Sequence, residues 1–562
     1  MRLCGPANQS PTGSWVPARG CKFSRTTKIH FAASPNGIGD TARMIAPPRP
    51  AHHHVNRAAC LLLGCAWLLA ATSSIASPAP AATGAAGTAA LAAQIDAQIN
   101  QPRFAAARWG IAVASLDSGR LLYAHHADQL LQPASTAKLF TAAVSLAVLG
   151  PDYRIPTRLL GHGHIRHGRL DGPLVLYGMG DPTLGTAGSA DWADRLASQL
   201  ATRGVRLVRG DLIADDSYFA SPPFGSGWEA GDLQSGFAAP PSALSVQENV
   251  VAITVSPGAR TGLPANLDFV PADATPPLLG QLTTSAAHSQ SDINLYRAPG
   301  DAGLYAFGTI ALDSPPQHFK LAVPDPALLA GRQLRRALAR QGIRVSGKLR
   351  VLHWPQDDAA VLAHADTLAE VLSPPLLDIL QRGLKRSQNL YLQNLLLSVG
   401  AHAQATAAPV AMTGFKSTEA WGIHALHELL AKIGIPPAAS LLDDGAGLSR
   451  SDLVTPDALV RLLEYLAAQP YAARLREALP IAGRDGTLIN RMRGTAAENN
   501  VHAKTGSMTY VHSLAGYVTA ADGERLVFAI MLDNDDPPPQ GPRASSDVDA
   551  IAVLLANFRG SR

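Results

Sequence analysis

The stretch that most limits how this chain can fold is QPASTAKLFTAAVSLAVLG, residues 132–150. A serine and a lysine three residues apart, here Ser135 and Lys138, face the same way on a helical turn. Ser135 follows Pro133 closely, at a predicted helix start, where its hydroxyl is exposed and its amide NH can face a developing oxyanion. Lys138, when neutral, can take the hydroxyl proton, and burial lowers a lysine pKa. Alone, the same residues also read as a serine cap followed by a surface lysine. Two stretches far downstream, Ser387-Gln388-Asn389 and Lys504-Thr505-Gly506, supply hydroxyl, amide and amine groups of matching kind. A chain that uses all three must bring together segments that are distant in sequence.

The first part of the chain reads as a leader. His52 to Arg57 precede an apolar run from Ala58 to Ala71, and small residues follow at Ser74 and Ala76. This is a Sec-type signal pattern with cleavage expected near Ala76, and the run is short for a membrane span. Residues 1–76 are therefore the leader, with 58–76 as its apolar core and cleavage region. Counted from Met1 the segment before the run is too long, and Met44 is an alternative start that leaves residues 1–43 untranslated. Leu62-Leu63-Gly64-Cys65 also resembles a lipoprotein box, but the apolar run continues past Cys65.

The leader carries eight Lys/Arg and one Asp, so the chain's 47 basic and 43 acidic residues become 39 and 42 after it, a net charge of −3. The excess of positive charge therefore says nothing about nucleic acid, and no nucleic-acid partner is expected. Cys4, Cys21, Cys60 and Cys65 all lie in the leader, leaving no disulfide, thiol nucleophile or cysteine metal site beyond it. The chain has nine lysines against 38 arginines, and Lys138 and Lys504 are two of the seven beyond residue 76. Where arginine supplies the bulk charge, a lysine in a motif suggests chemistry that needs a neutral amine.

Past a small-residue linker at 77–88, a helix is expected at 89–100 and a hairpin at 109–124. These form, with the Ser135 helix, the first part of a split domain at 89–156. Residues 157–351 change character to strand-length runs broken by Gly, Pro and Asp, and 222–322 reads as a further, mainly β subdomain. His162, His164 and His167 in this region suit one exposed hairpin face as well as a metal site, and no metal is assigned. Helices return in 352–562. There Ser387 falls at a break between two helices, and Lys504 lies near the start of a strand pair turning at Asp522-Gly523.

With those boxes in hand, the chain resembles the class C low-molecular-mass penicillin-binding proteins, D-alanyl-D-alanine carboxypeptidase/endopeptidases of the penicillin-binding protein 4 type. The resemblance extends to Gly180-Asp181-Pro182, GWEAGDLQSGFAAPPSAL at 227–244, DDGAGLSR at 443–450, LPIAGRDGTL at 479–488 and KTGSMTYVHSLAGYV at 504–518. It implies an α+β fold: a β-lactamase/transpeptidase-like antiparallel sheet flanked by helices, split by a large, mainly β insertion. It also implies acyl transfer through Ser135, with Lys138 as base and with Ser387 and Lys504 helping to protonate the leaving amine. Asn389 would hold the substrate amide. Thr505 and Gly506 belong to the strand that receives the terminal carboxylate, with Lys504 supplying positive field. The amides of Ser135 and Ser507 would form the oxyanion hole. Asp232 matches an acid that meets the free amino group of diaminopimelate, with a turn-capping Asp as the alternative reading.

Four positions depart from the family pattern: Gln388 for Asp, Leu384 for Asn, Gln393 for Glu and Ala446 for Ser. Loss of the acids would loosen how the second box is braced. The expected partners are peptidoglycan stem peptides and, as covalent inhibitors, β-lactam antibiotics, with a loose membrane or cell-wall association and no cofactor. The expected location is the periplasm. Two other readings stand beside this one, a β-lactamase and a catalytically weak wall-binding protein of the same fold. A metalloprotease is disfavoured because no HExxH occurs.

Overall fold

The computed structural model describes residues 81–560, apart from 162–164, 299, 357–362, 364, 408–413 and 537–542. The chain divides at residue 76 into two units, and everything below concerns the second.

A five-stranded antiparallel sheet carries the site. Its strands run in the spatial order Leu121–His125, Arg108–Ser115, Arg525–Asp533, Val511–Thr519, His502–Met508. The central strand RLVFAIMLD is almost wholly buried, so its sequence is a continuous apolar run rather than an alternating one. Its side chains still divide by face. Val527, Ala529 and Met531 join Ala112, Ala114 and Ala515 beneath the layer of helices that includes Lys138–Val148, Asn389–Thr406 and Pro456–Ala467. Leu526, Phe528, Ile530 and Leu532 face the other way, onto the terminal helices Ala81–Ile99 and Ala544–Asn557. The alanine-rich face lets helices approach the sheet closely, and the nucleophile turn lies on that side. Truncating Phe528 to Ala would cost about 3–5 kcal/mol.

The terminal helix corrects the expected linker. Residues 81–88 are helical, in an alanine-rich segment of high helix propensity. Gly87 meets Gly560 so closely that a Cβ there would lie 2.7 Å from the partner's Cα. Residues 77–80, like the expected leader and signal segment at 1–76, lie outside the described residues.

After the Ser135 helix the chain turns at Gly150, with φ +85°, and enters the insertion. Entry and exit lie side by side. Ser373 N donates to Ile155 O at 2.9 Å and Leu376 N to Tyr153 O at 2.8 Å. Between them a mixed five-stranded sheet forms in the order Leu349–Leu352, Leu212–Asp215, Leu174–Gly178, Pro156–Gly161, Asp366–Leu372. Helices Trp192–Thr202 and Pro326–Arg340 share its core. The inserted sheet thus runs to Leu372, past the expected limit of 351, because the last strand pairs antiparallel with the first. Within 222–322 the strand Val250–Ser256 alternates buried and half-buried, and a separate small core forms around Ile253, Val255, Leu282, Leu304 and Ile310. His167 sits in a turn at φ +48°, whereas His162 and His164 lie outside the described residues. Among the described residues no cluster suits a metal ion, and no helix is long and apolar enough to cross a membrane.

Candidate active site

Ser135 lies in a 3₁₀ turn, Ala134–Ala137, and the α-helix begins only at Lys138. The expectation of a serine within the helix start is corrected by this tighter turn, which is pinned from outside. Ser513 Oγ donates to Pro133 O at 2.6 Å. A Cβ on Gly506 would lie 2.5 Å from Pro133 O, and one on Gly447 2.0 Å from Ala134 O. Two glycines therefore let the Lys504 strand and the 443–450 loop press against the turn. Ala134 is held at φ +46° and Ser387 at φ +55°, a backbone region costly for non-glycine residues.

Lys138 is fully buried and points at the serine. Its Nζ donates to Ser135 Oγ at 2.8 Å, to Asn389 Oδ1 at 2.6 Å and to Ala446 O. Burial pushes its pKa down to about 7, and the Asp444 carboxylate acts against that fall. Lys504, equally buried on the edge strand His502–Met508, donates to Ser387 Oγ at 2.8 Å and to Thr505 O at 2.7 Å. Burial holds it well below the ordinary lysine range, and Lys138 and Arg491 lower it further. The charged neighbours of Lys504 are cations, which oppose its own positive charge.

The remaining residues named from sequence lie around this core. Asn389 opens the helix Asn389–Thr406, and its Nδ2 donates to Phe237 O at 2.8 Å. Thr505 Oγ1 meets Thr487 Oγ1 at 2.7 Å, and Ser507 Oγ meets His512 Nδ1 at 3.0 Å. Asp232 is half-buried in the 227–238 loop, and burial and Glu229 raise its pKa while Arg450 opposes them. Both ends of that loop are tied to the site. Trp228 Nε1 donates to Asp444 Oδ2 at 2.6 Å, and Phe237 receives Asn389.

Sequence reasoning missed the groups that hold these in place. The Asp444 carboxylate accepts the backbone NH groups of Ala446, Gly447, Leu448 and Ser449, folding the loop whose Ala446 carbonyl holds Lys138. Asp452 beside it is pushed strongly up by burial and by Asp444, so it keeps its proton at neutral pH. Gln393 donates to Glu419 at 2.6 Å and accepts from Gly445 N at 2.7 Å. An amide does both and an ionised carboxylate cannot, which gives a physical reason for glutamine where the family pattern has an acid. Gln388 donates to Glu248 at 3.0 Å. Leu384 is fully buried in the helical core. Lys385, two residues before Ser387, pairs with Asp485 at 2.6 Å. The acidic loop was visible as DDGAGLSR, but nothing in its sequence names Trp228 as its partner.

This chain matches the model of the D-Ala-D-Ala carboxypeptidase 3 (S13) family over residues 91–557. It is 36% identical over 505 residues to the D-alanyl-D-alanine carboxypeptidase of Actinomadura sp. (strain R39), covering 88% of this chain and 89% of that one. It is 31% identical to the D-alanyl-D-alanine carboxypeptidase DacB of Haemophilus influenzae over 75% of this chain and 85% of that one. The crystal structure of penicillin binding protein 4 (dacB) from H. influenzae superposes with a TM-score of 0.70 at 28% identity, covering 83% of this chain and 99% of that one. The same protein complexed with a β-lactam superposes at 0.65, with 26% identity over 83% of this chain and 99% of that one.

Proposed function

Because the chain belongs to the D-Ala-D-Ala carboxypeptidase 3 (S13) family, a family of hydrolases on a transpeptidase-like fold, we propose that it works through an ester on Ser135. Lys138 Nζ takes the proton from Ser135 Oγ as that oxygen attacks the carbonyl carbon of the penultimate D-Ala. The carbonyl oxygen becomes an oxyanion facing the amides of Ser135 and Ser507, where one lost donor typically costs about 3–4 kcal/mol. The C–N bond then breaks. Ser387 Oγ, held by Lys504, gives a proton to the leaving D-Ala amine, and the proton taken by Lys138 restores the balance. Water attacks the ester, and Ser135 recovers its proton as the shortened peptide leaves.

The observation that carries this reading is the position of Lys138. It is buried, its pKa is pushed to about 7, and its Nζ bridges Ser135 and Asn389. A base tuned near the working pH is what general-base chemistry needs. Asn389 orients the substrate amide and Thr505 receives the terminal carboxylate. An arriving carboxylate offsets the cations around Lys504 and draws a proton back to it, restoring the positive field there. Gln388 and Gln393 both have partners, which supports a braced second box rather than a weakened one.

The reading extends to endopeptidase cleavage of D-Ala–diaminopimelate cross-links, with Asp232 meeting the free ammonium. It also extends to export into the periplasm by the 58–76 segment, and to covalent inhibition by β-lactams, a class of compound that the H. influenzae neighbour holds in complex. The test is hydrolysis of a D-Ala-D-Ala pentapeptide and of a cross-linked muropeptide dimer by the native protein and by Ser135→Ala. Release of D-Ala by native protein alone supports the mechanism, and equal release by both contradicts it. Native protein that cleaves the pentapeptide but not the dimer restricts the reading to carboxypeptidase work.

A further inference from the structure

A cavity of about 530 Å³ lies in the inserted region, behind the loop that carries Asp232. Leu233, Val251, Ile253, Leu304, Leu321 and Leu329 give it an apolar wall. Arg297 stands in that wall and is only 9% exposed. One of its guanidinium nitrogens donates to Ala322 O. Among the described residues no carboxylate pairs with it, and burial alone lowers its pKa. The three acids lining the same cavity have other partners. Asp273 pairs with Arg336 at 2.7 Å, Asp325 caps Leu328 N at 2.8 Å, and Asp301 accepts from Gly303 N at 2.9 Å. A cation set into an apolar wall without a counter-charge is costly to bury, and it favours an anion that brings one.

We propose that this cavity binds the carboxylate of a short peptide, seating it on the Arg297 guanidinium with the peptide's apolar groups against the leucine wall. Asp273, Asp301 and Asp325 line the same cavity and oppose a dianion such as phosphate more than a monoanion, and Arg332, which also lines it, donates to Asp273 O at 3.0 Å. A monoanionic carboxylate with methyl or methylene neighbours suits both the charge and the lining, and the volume is that of a small-ligand site. Resting on the function proposed above, the source of such a peptide is a second stem of the same wall polymer. The loop makes the connection to the reaction. Gln234 Oε1 accepts the Arg297 backbone NH at 2.9 Å, and three residues on Phe237 O receives Asn389.

The experiment uses protein already acylated by benzylpenicillin, so that the catalytic serine is blocked. The stem tetrapeptide L-Ala-D-Glu-diaminopimelate-D-Ala is titrated into it calorimetrically. One binding site is expected. Arg297→Met should weaken it by about tenfold or more, the scale of a lost hydrogen bond to a charged group. Arg297→Lys should retain part of the affinity, and the fully amidated peptide should fail to bind native protein. The last comparison needs no variant, so it stands even if Arg297→Met does not fold. The proposal is overturned if the acylated protein binds no tetrapeptide, if Arg297→Met binds it unchanged, or if inorganic phosphate displaces it with similar affinity. If benzylpenicillin does not acylate Ser135, the proposed function falls instead. Ser135→Ala then serves for the same titration, and the cavity is judged separately.

Discussion

Lys138 and Lys504 are the same residue type at the same near-zero exposure, a few side chains apart, and their surroundings treat them differently. Burial is the largest cause of depression for both. Lys138 then meets the Asp444 carboxylate, which pulls it back to about 7. Lys504 then meets Lys138 and Arg491, which push it further down. Burial makes a neutral amine available, and the neighbouring charge decides which one titrates where the enzyme works. The acceptors match this division. Lys138 holds the nucleophile, while Lys504 holds the hydroxyl of Ser387, on the leaving-group side of the proposed reaction.

The largest expected effect breaks the comparison at its base. Lys138→Ala should slow acylation by benzylpenicillin about 10²–10⁴-fold with the thermal unfolding midpoint retained, the range for loss of a general base. Near-normal acylation would remove the base assignment. Lys504→Ala should act more on turnover of D-Ala-D-Ala peptide than on the acylation rate with a β-lactam, because a β-lactam's amine remains tethered. An equal loss on both would merge the two roles.

The third prediction concerns pH. A base works when deprotonated, so acylation should fall as pH drops through about 7, where Lys138 gains its proton. A rate that keeps climbing toward pH 10 would show an ordinary lysine and erase the difference between the two. Smaller still is Gln393→Glu, which restores the family's acid but sets a carboxylate against Glu419 in a buried place. It should destabilise the fold by about 1–3 kcal/mol and loosen the Gly445–Ala446 support of Lys138. A stabilised or more active variant would mean that the amide is incidental. The smallest effect is expected for Asp452→Asn, within about twofold in acylation rate, since that carboxyl already carries its proton and its contact to Asp443 N survives. A large fall would show that Asp452 is charged.

What the sequence made legible follows the same division between local and distant causes. Ser135 with Lys138, the Ser387 box at a helix break and Lys504 near the start of a strand were all readable, because spacing and local pattern carry them. The Asp522-Gly523 turn was readable too, since Gly523 takes φ +88° where the strands reverse. The Asp444–Trp228 brace and the Gln393–Glu419 pair were not. Each joins segments that no local periodicity connects, and their roles depend on burial that only the folded chain defines. The depression of the Lys504 pKa was not legible for a related reason: it is set by burial, and further by Lys138 and Arg491 from elsewhere in the chain. The extent of the insertion was missed because its closing strand, Asp366–Leu372, pairs with a strand some two hundred residues earlier.

The most direct test of the central claim is the intact mass of the protein after incubation with benzylpenicillin, followed by peptide mapping. The account predicts one added penicilloyl group, on the peptide containing Ser135, and none on Lys138→Ala over the same interval. An adduct on another residue, or no adduct with the drug intact, would contradict it, and no adduct with the drug hydrolysed would point to a β-lactamase.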